Sequence, residues 1–248
     1  MKPIIELQGV SLAPPIGMDF ILQDLSFAIA KSEKVAIVGV SGSGKTSLLR
    51  LLNRLVSPAK GTVYFKEKPY SEYAPVALRK QILLIPQEPK LLGMTGKEAL
   101  IYPLELQQLD KREISTRLTK YCDALQIPQT WLEKNELQLS VGQRQLLSIV
   151  RGLMIEPQVL LLDEPTSALD RGKSDRLLAV LDKINEQQQT TIIMVNHQLD
   201  ISEQFAKRIL HLDAGRLIKD VTATRQEWQQ IETEIRQTSK TIADEWDD

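Results

Sequence analysis

A chain of 248 residues, 42% apolar and 25% charged, has the composition of a soluble globular protein with room for a substantial core. Its net charge of −1 offers no basic face, so no nucleic-acid partner is expected. One cysteine excludes an intrachain disulfide framework, and beside only two histidines it argues against a structural zinc site.

The opening MKPIIELQGV has no basic region followed by an apolar stretch, so no secretory signal is expected. No uncharged apolar run approaches the ~20 residues needed to cross a bilayer. Ile4–Leu7 and Leu22–Ile29 read as strands, the second alternating Leu25, Phe27 and Ile29 with polar or small neighbours. Lys34–Val38 reads as a buried strand running into Gly39. Lys45–Leu55 follows as a helix with Leu48, Leu49, Leu51, Leu52 and Leu55 turned inward. Ser57-Pro58 ends it, and Thr62–Phe65 and Ile82–Ile85 are short strands.

From about Lys90 to Ile127 the signals turn helical, with Asp110 placed to cap Lys111–Leu125. A helix over Val141–Ile155, a strand over Val159–Leu162, a helix over Lys173–Gln187 and a strand over Thr190–Val195 then alternate. A hairpin over Ile209–Ile218 turns at Ala214-Gly215, and Thr224–Trp246 reads as a helical tail. The organisation expected is one domain over 1–248. Its core covers about 1–88 and 157–223, with an inserted helical lobe at about 89–156 and a tail at 224–248.

Gly39-Val40-Ser41-Gly42-Ser43-Gly44-Lys45-Thr46 fits the pattern G-x-x-x-x-G-K-[ST] between a strand and a helix, the context a phosphate loop requires. Its glycines allow successive backbone N–H groups to turn inward on an anion, and the helix N-terminus adds positive dipole. Lys45 can reach the β and γ phosphates of a nucleotide, Thr46 offers a hydroxyl to Mg2+, and Ser47 one to the α phosphate. Downstream, VLLLDEPTSALD (Val159–Asp170) is an aliphatic run ending in two carboxylates. A strand buried on both faces would deliver Asp163 and Glu164 to the carboxyl edge of a parallel sheet. Asp163 suits the magnesium, and Glu164 the polarising of an attacking water, a step worth roughly 10² to 10⁴ in rate. LSVGQRQ (Leu139–Gln145) is a polar turn opening a helix that Ser140 can cap.

With Gln87 after one strand and His197 after another, these motifs together resemble the nucleotide-binding subunit of an ATP-binding cassette (ABC) transporter along essentially the full chain. The resemblance implies an α/β fold: a P-loop NTPase core with a mostly parallel sheet, an N-terminal antiparallel β subdomain and an inserted helical lobe. It implies ATP and Mg2+ as cofactors, with ATP on Gly39–Ser47 and the metal near Thr46, Gln87 and Asp163. It makes Glu164, His197 and Gln87 the catalytic group. Gln87 would contact the metal and water, and His197 would bind the γ phosphate and orient Glu164. Ser140, Val141, Gly142 and Gln143 would serve the ATP of a second copy in an ATP-sandwich dimer, and Asp170 would organise that interface. His211 is read as structural.

Val141 stands where the family usually has glycine, and Leu146 where it usually has arginine. A valine there keeps φ negative, which a helical position allows. The aromatic residue on which the family stacks adenine is replaced by Ile16, with Phe20 the nearest ring; losing the stack costs ~1–3 kcal/mol and should weaken adenine discrimination. The resemblance further implies integral membrane permease subunits as partners and a cytoplasmic position on the inner face of the membrane. Leu91–Leu106 and the short lobe resemble small bacterial cassettes of the FetA type, linked to iron or metal homeostasis. The rival class is a soluble cassette ATPase, for example in iron–sulfur assembly.

Overall fold

In chain order the strands and helices begin with β1 (Pro3–Leu12), β2 (Leu22–Ala30), β3 (Lys34–Val38), α1 (Lys45–Leu52), β4 (Lys60–Phe65) and β5 (Lys68–Pro69). Next come α2 (Pro75–Gln81), β6 (Ile82–Ile85), α3 (Gly96–Leu106), α4 (Lys111–Ala124), α5 (Gln129–Glu133) and α6 (Val141–Met154). The remainder is β7 (Val159–Asp163), α7 (Arg171–Gln188), β8 (Thr191–Val195), α8 (Leu199–Phe205), β9 (Arg208–Asp213), β10 (Arg216–Thr222) and α9 (Arg225–Trp246). The structure is a computed structural model that describes residues 2–14 and 19–246. Among them no helix is long and apolar enough to cross a membrane.

β2, β1, β4 and β5 form an antiparallel sheet in that order. The second sheet runs β10-β9-β3-β8-β7-β6, parallel except for the β9–β10 hairpin. Strands β3, β6, β7 and β8 are apolar at nearly every position because both faces are covered, and alternation sorts the residues between two cores. Val35, Ile37, Val159, Leu161, Ile193 and Val195 pack with the antiparallel sheet and α1. Ala36, Val38, Leu160, Leu162, Ile192 and Met194 pack with α3, α4, α6, α7 and the start of α9. Each fully buried leucine here contributes roughly 1.5–3 kcal/mol.

The first helix is shorter than the leucine periodicity predicts. Arg54 takes φ 56 and turns the chain out of the helix. Its Nη1 donates to the Tyr73 carbonyl at 2.5 Å, while Asn53 Nδ2 donates to the carbonyl of Ile82. α1 therefore stops at Leu52, and Leu55, expected to face inward, is 52% exposed. α2 is a helix the periodicity does not reveal, since it starts on Pro75 and buries only Leu78.

His211 on β9 is 3% exposed, and its Nδ1 lies 3.5 Å from Glu234 Oε2 on α9. Burial lowers its pKa, with Glu234 and Asp213 pulling upward and Lys219 and Lys45 adding to the fall. The unfolded chain therefore takes up a proton that the fold resists. Stability from this residue is complete above its ordinary pKa and is lost as pH falls from there through the lowered pKa of the folded state. The midpoint of thermal unfolding should fall on acidification from pH 7.5 to 5.5, by ~2–4 °C per kcal/mol lost, and less in H211Q. Equal pH slopes for the two proteins would contradict the assignment.

Candidate active site

Strands β3, β8, β7 and β6 end at the same edge of the parallel sheet, and each supplies one part of a cleft of about 330 Å³. From β3 comes the loop of residues 39–44, in which Gly39, Gly42 and Gly44 take φ of 148, 80 and 98. At Gly39 a Cβ would lie 2.1 Å from the Leu212 carbonyl oxygen, so the loop is pressed against β9 as closely as backbone allows. Lys45 opens α1 and folds back over the loop. Its Nζ donates to the Gly39 and Val40 carbonyls at 2.9 and 2.7 Å, with Ser43 Oγ at 3.4 Å. Burial lowers its pKa, opposed by the carboxylates of Glu164 and Asp163.

Asp163, the last residue of β7, is 3% exposed and accepts a hydrogen bond from Thr46 Oγ1 at 3.2 Å. Burial raises its pKa and the neighbouring Glu164 adds to that, while the Thr46 hydroxyl, Arg50 and Lys45 act in the opposite direction. Glu164 is a non-glycine residue in the left-handed region, φ 50. Its N–H donates to the Val195 carbonyl at 2.9 Å, and its own carbonyl accepts from Ser167 N–H and Oγ at 3.3 and 3.0 Å. Backbone strain of this kind is held by the surrounding bonds. The bend lets Oε2 accept from Gln87 Nε2 at 2.9 Å, while Oε1 lies 2.8 Å from His197 Nε2.

Strand order explains that trio. β7 lies between β6 and β8, so the residue after β7 is flanked by the residues after its two neighbours. Two further residues, not legible as functional in the sequence, secure it. Asn196 Nδ2 donates to Thr166 Oγ1 at 2.7 Å, both buried, and Asn196 Oδ1 accepts from Gln198 N–H at 3.0 Å. This pins the segment carrying His197 to the turn carrying Glu164. The only available signal was a polar residue beside His197 at a strand end.

The cleft gathers Ser41, Gly42, Gly44, Lys45, Thr46, Ser47, Gln87, Glu164 and His197, with Asp163 beside it on Thr46. Ser140–Gln143 and Asp170 do not line it. Ser140 caps α6 as expected, its Oγ accepting from Gln143 N–H at 3.2 Å while Gln143 Oε1 accepts from Ser140 N–H at 2.9 Å. Val141 is the first helical residue, with its side chain 53% exposed. At Gly142 a Cβ would lie 2.5 Å from the Ala168 carbonyl oxygen, so the start of α6 rests on the turn after Glu164. Asp170 caps α7, accepting from Lys173 N–H at 2.9 Å and pairing with the Lys173 ammonium. Ile16 lies outside the described residues. Phe20 has the Lys60 ammonium 5.1 Å from its ring centre.

The sequence pattern of the family described as ABC transporter matches residues 22–167. The methionine import ATP-binding protein MetN of Francisella tularensis subsp. holarctica is 33% identical over 203 residues, covering 80% of this chain. This chain spans only 58% of that relative's length. An ATP-dependent lipid A-core flippase of Alkalilimnicola ehrlichii is 34% identical over 226 residues, 89% of this chain and 38% of the flippase. Among solved structures, the dimeric ATP-binding cassette MJ0796, in a post-hydrolysis state bound to ADP and Pi, matches with a TM-score of 0.82 at 26% identity. That match covers 89% of this chain and 99% of that one. With the phosphate loop, the paired acids and the Gln87–Glu164–His197 trio assembled at one sheet edge, the chain belongs to the ABC transporter family and carries its ATP-binding cassette.

Proposed function

We propose that the chain hydrolyses ATP as the energising subunit of a membrane transporter, working as a pair of copies. The carrying observation is the Glu164 carboxylate, held between Gln87 and His197 over the loop that Lys45 closes. A nucleotide's phosphates would draw Lys45 from the Gly39 and Val40 carbonyls onto the β and γ oxygens. Glu164 would take a proton from the attacking water, while His197 holds the carboxylate in place and contacts the γ phosphate.

The residues fit Mg2+. Among those described, no three of His, Cys, Asp and Glu cluster to hold a metal by themselves. The buried Asp163 carboxylate, its Thr46 hydroxyl and the Gln87 amide instead supply a few hard oxygens, as an ion completed by phosphate and water requires. When bound, the ion would neutralise charge developing on the phosphates.

Ser140–Gln143 stand apart from their own chain's cleft, which fits a role toward the nucleotide of a second copy, with Asp170 at the same interface. The dimeric state of MJ0796 supports this arrangement. A second groove of about 650 Å³ runs between the core and the lobe at about 89–156, and Gln87 lines it as well as the ATP cleft. Its rim exposes Leu92, Leu106 and Tyr102 at 65%, 63% and 38%. Such an apolar rim suits a segment of a membrane permease subunit and would seat the chain on the cytoplasmic face of the bilayer. The relatives are named for methionine import and lipid A-core flipping, which lends no support to the iron- or metal-linked cargo implied by the FetA resemblance.

A tagged chain should co-purify with a multi-span membrane protein, and the double variant L92E/L106E should lose it. Identical captured proteins for wild type and variant would refute the groove assignment. Capture of no membrane protein by the wild-type chain would favour the soluble cassette instead.

A further inference from the structure

Away from the cleft, one carboxylate is wholly engaged with backbone. Glu136 opens the short 3-10 turn Glu136–Gln138 that leads into Leu139 and Ser140. Its Oε1 accepts from the N–H of Leu91 at 3.0 Å and its Oε2 from the N–H of Gly93 at 2.9 Å. Converging N–H groups of this kind make a concave anion site, filled here by a side chain of the same protein. Between them Leu92 is held at φ 61, a left-handed conformation unfavourable for leucine, with its side chain projecting into the groove beside Gln87. The two hydrogen bonds also lower the pKa of Glu136, so the carboxylate stays charged through the physiological range.

The other end of the connection is equally fixed. Arg144 Nη1, one turn into α6, donates to the carbonyls of Leu139 at 2.7 Å and Glu136 at 3.4 Å. Asn135 and Gln138 bracket the turn with reciprocal capping bonds, and Gly96 N–H donates to the Lys134 carbonyl at 2.8 Å. The groove-facing loop and the turn presenting Ser140 are therefore laced together, with the Glu136 carboxylate bridging them.

We infer that Glu136 is a positioning residue: it joins the Leu92 loop to the Ser140 turn as one unit, so that a push on Leu92 in the groove displaces the face offered to the second copy's nucleotide. The inference rests on the two-copy reading above. It assigns a purpose to the strained Leu92, which the carboxylate holds ready at the groove.

The test uses the full chain carrying E164Q, with sedimentation measuring the ATP concentration, in excess magnesium, that gives half-maximal dimer. Adding E136A should raise that concentration at least about tenfold, the equivalent of losing a charge-assisted hydrogen bond. Binding of a fluorescent ATP analogue to the dilute monomer should change by less than about twofold, since no residue of the cleft is touched. E136Q, with one acceptor oxygen left, should fall between. L92G added to E136A should recover part of the loss, because glycine keeps the left-handed turn without the carboxylate. Unchanged dimerisation in E136A would overturn the inference. So would a loss that L92G leaves unrepaired and that monomer binding shares, because that pattern is general damage to the lobe. If E164Q with Glu136 intact failed to dimerise, the two-copy reading would fall first and this assignment with it.

Discussion

Replacing Glu164 by glutamine should lower ATP turnover by roughly 10² to 10⁴ while ATP binding stays within about twofold. Glutamine keeps the length and volume of glutamate, and the left-handed backbone at φ 50 is fixed by main-chain bonds to Val195 and Ser167 that the side chain does not supply. The change is confined to chemistry. One amide oxygen can still accept from His197, and Gln87 can turn its amide to meet the new NH2 group, but no oxygen remains that accepts a proton from water. With hydrolysis blocked, two copies should accumulate with ATP between them. Steady-state phosphate release and equilibrium nucleotide binding, measured on the same preparation, test both halves. Turnover within threefold of wild type would remove Glu164 from the role of base.

The second large effect separates two glycines of one motif. G39A should destabilise the chain by about 2–5 kcal/mol and abolish measurable ATP binding, adding strain at a glycine-only φ to overpacking against rigid backbone. The added methyl would meet the Leu212 carbonyl at 2.1 Å, and β9 cannot retreat because it is paired with β3 through Val35–Val38. G42A meets nothing within 4 Å. Its cost to stability is the left-handed φ of 80 alone, about 1 kcal/mol. Urea unfolding and nucleotide titration of both variants check this. If G39A were as mild as G42A, the close seating of the loop on β9 would be wrong.

What the sequence made legible is what spacing fixes locally. The phosphate loop, the acid pair after an aliphatic run and the Ser140 cap each depend on a few consecutive residues, and each stands where the motif placed it. What it hid depends on partners distant in the chain. Glu164 reaches both Gln87 and His197 because β7 runs between β6 and β8, an order no local pattern encodes. The Asn196–Thr166 bond and the bend at Glu164 are hidden for the same reason. The Leu55 error is instructive in another way: the leucine period continues past Leu52, but Asn53 and Arg54 bond to the β6 and Tyr73 carbonyls and end the helix first. Tertiary partners outweighed the pattern there.

The contact at Gly142 has a mechanical meaning. With no side chain between α6 and the Ala168 carbonyl, the closest approach of Ser140 to the Glu164 turn is set by backbone meeting backbone. Such a linkage works as a gauge block inside the chain. In the proposed pair of copies, the position of one protomer's own acid would limit how far its serine draws back from its partner, and both clefts would share that limit.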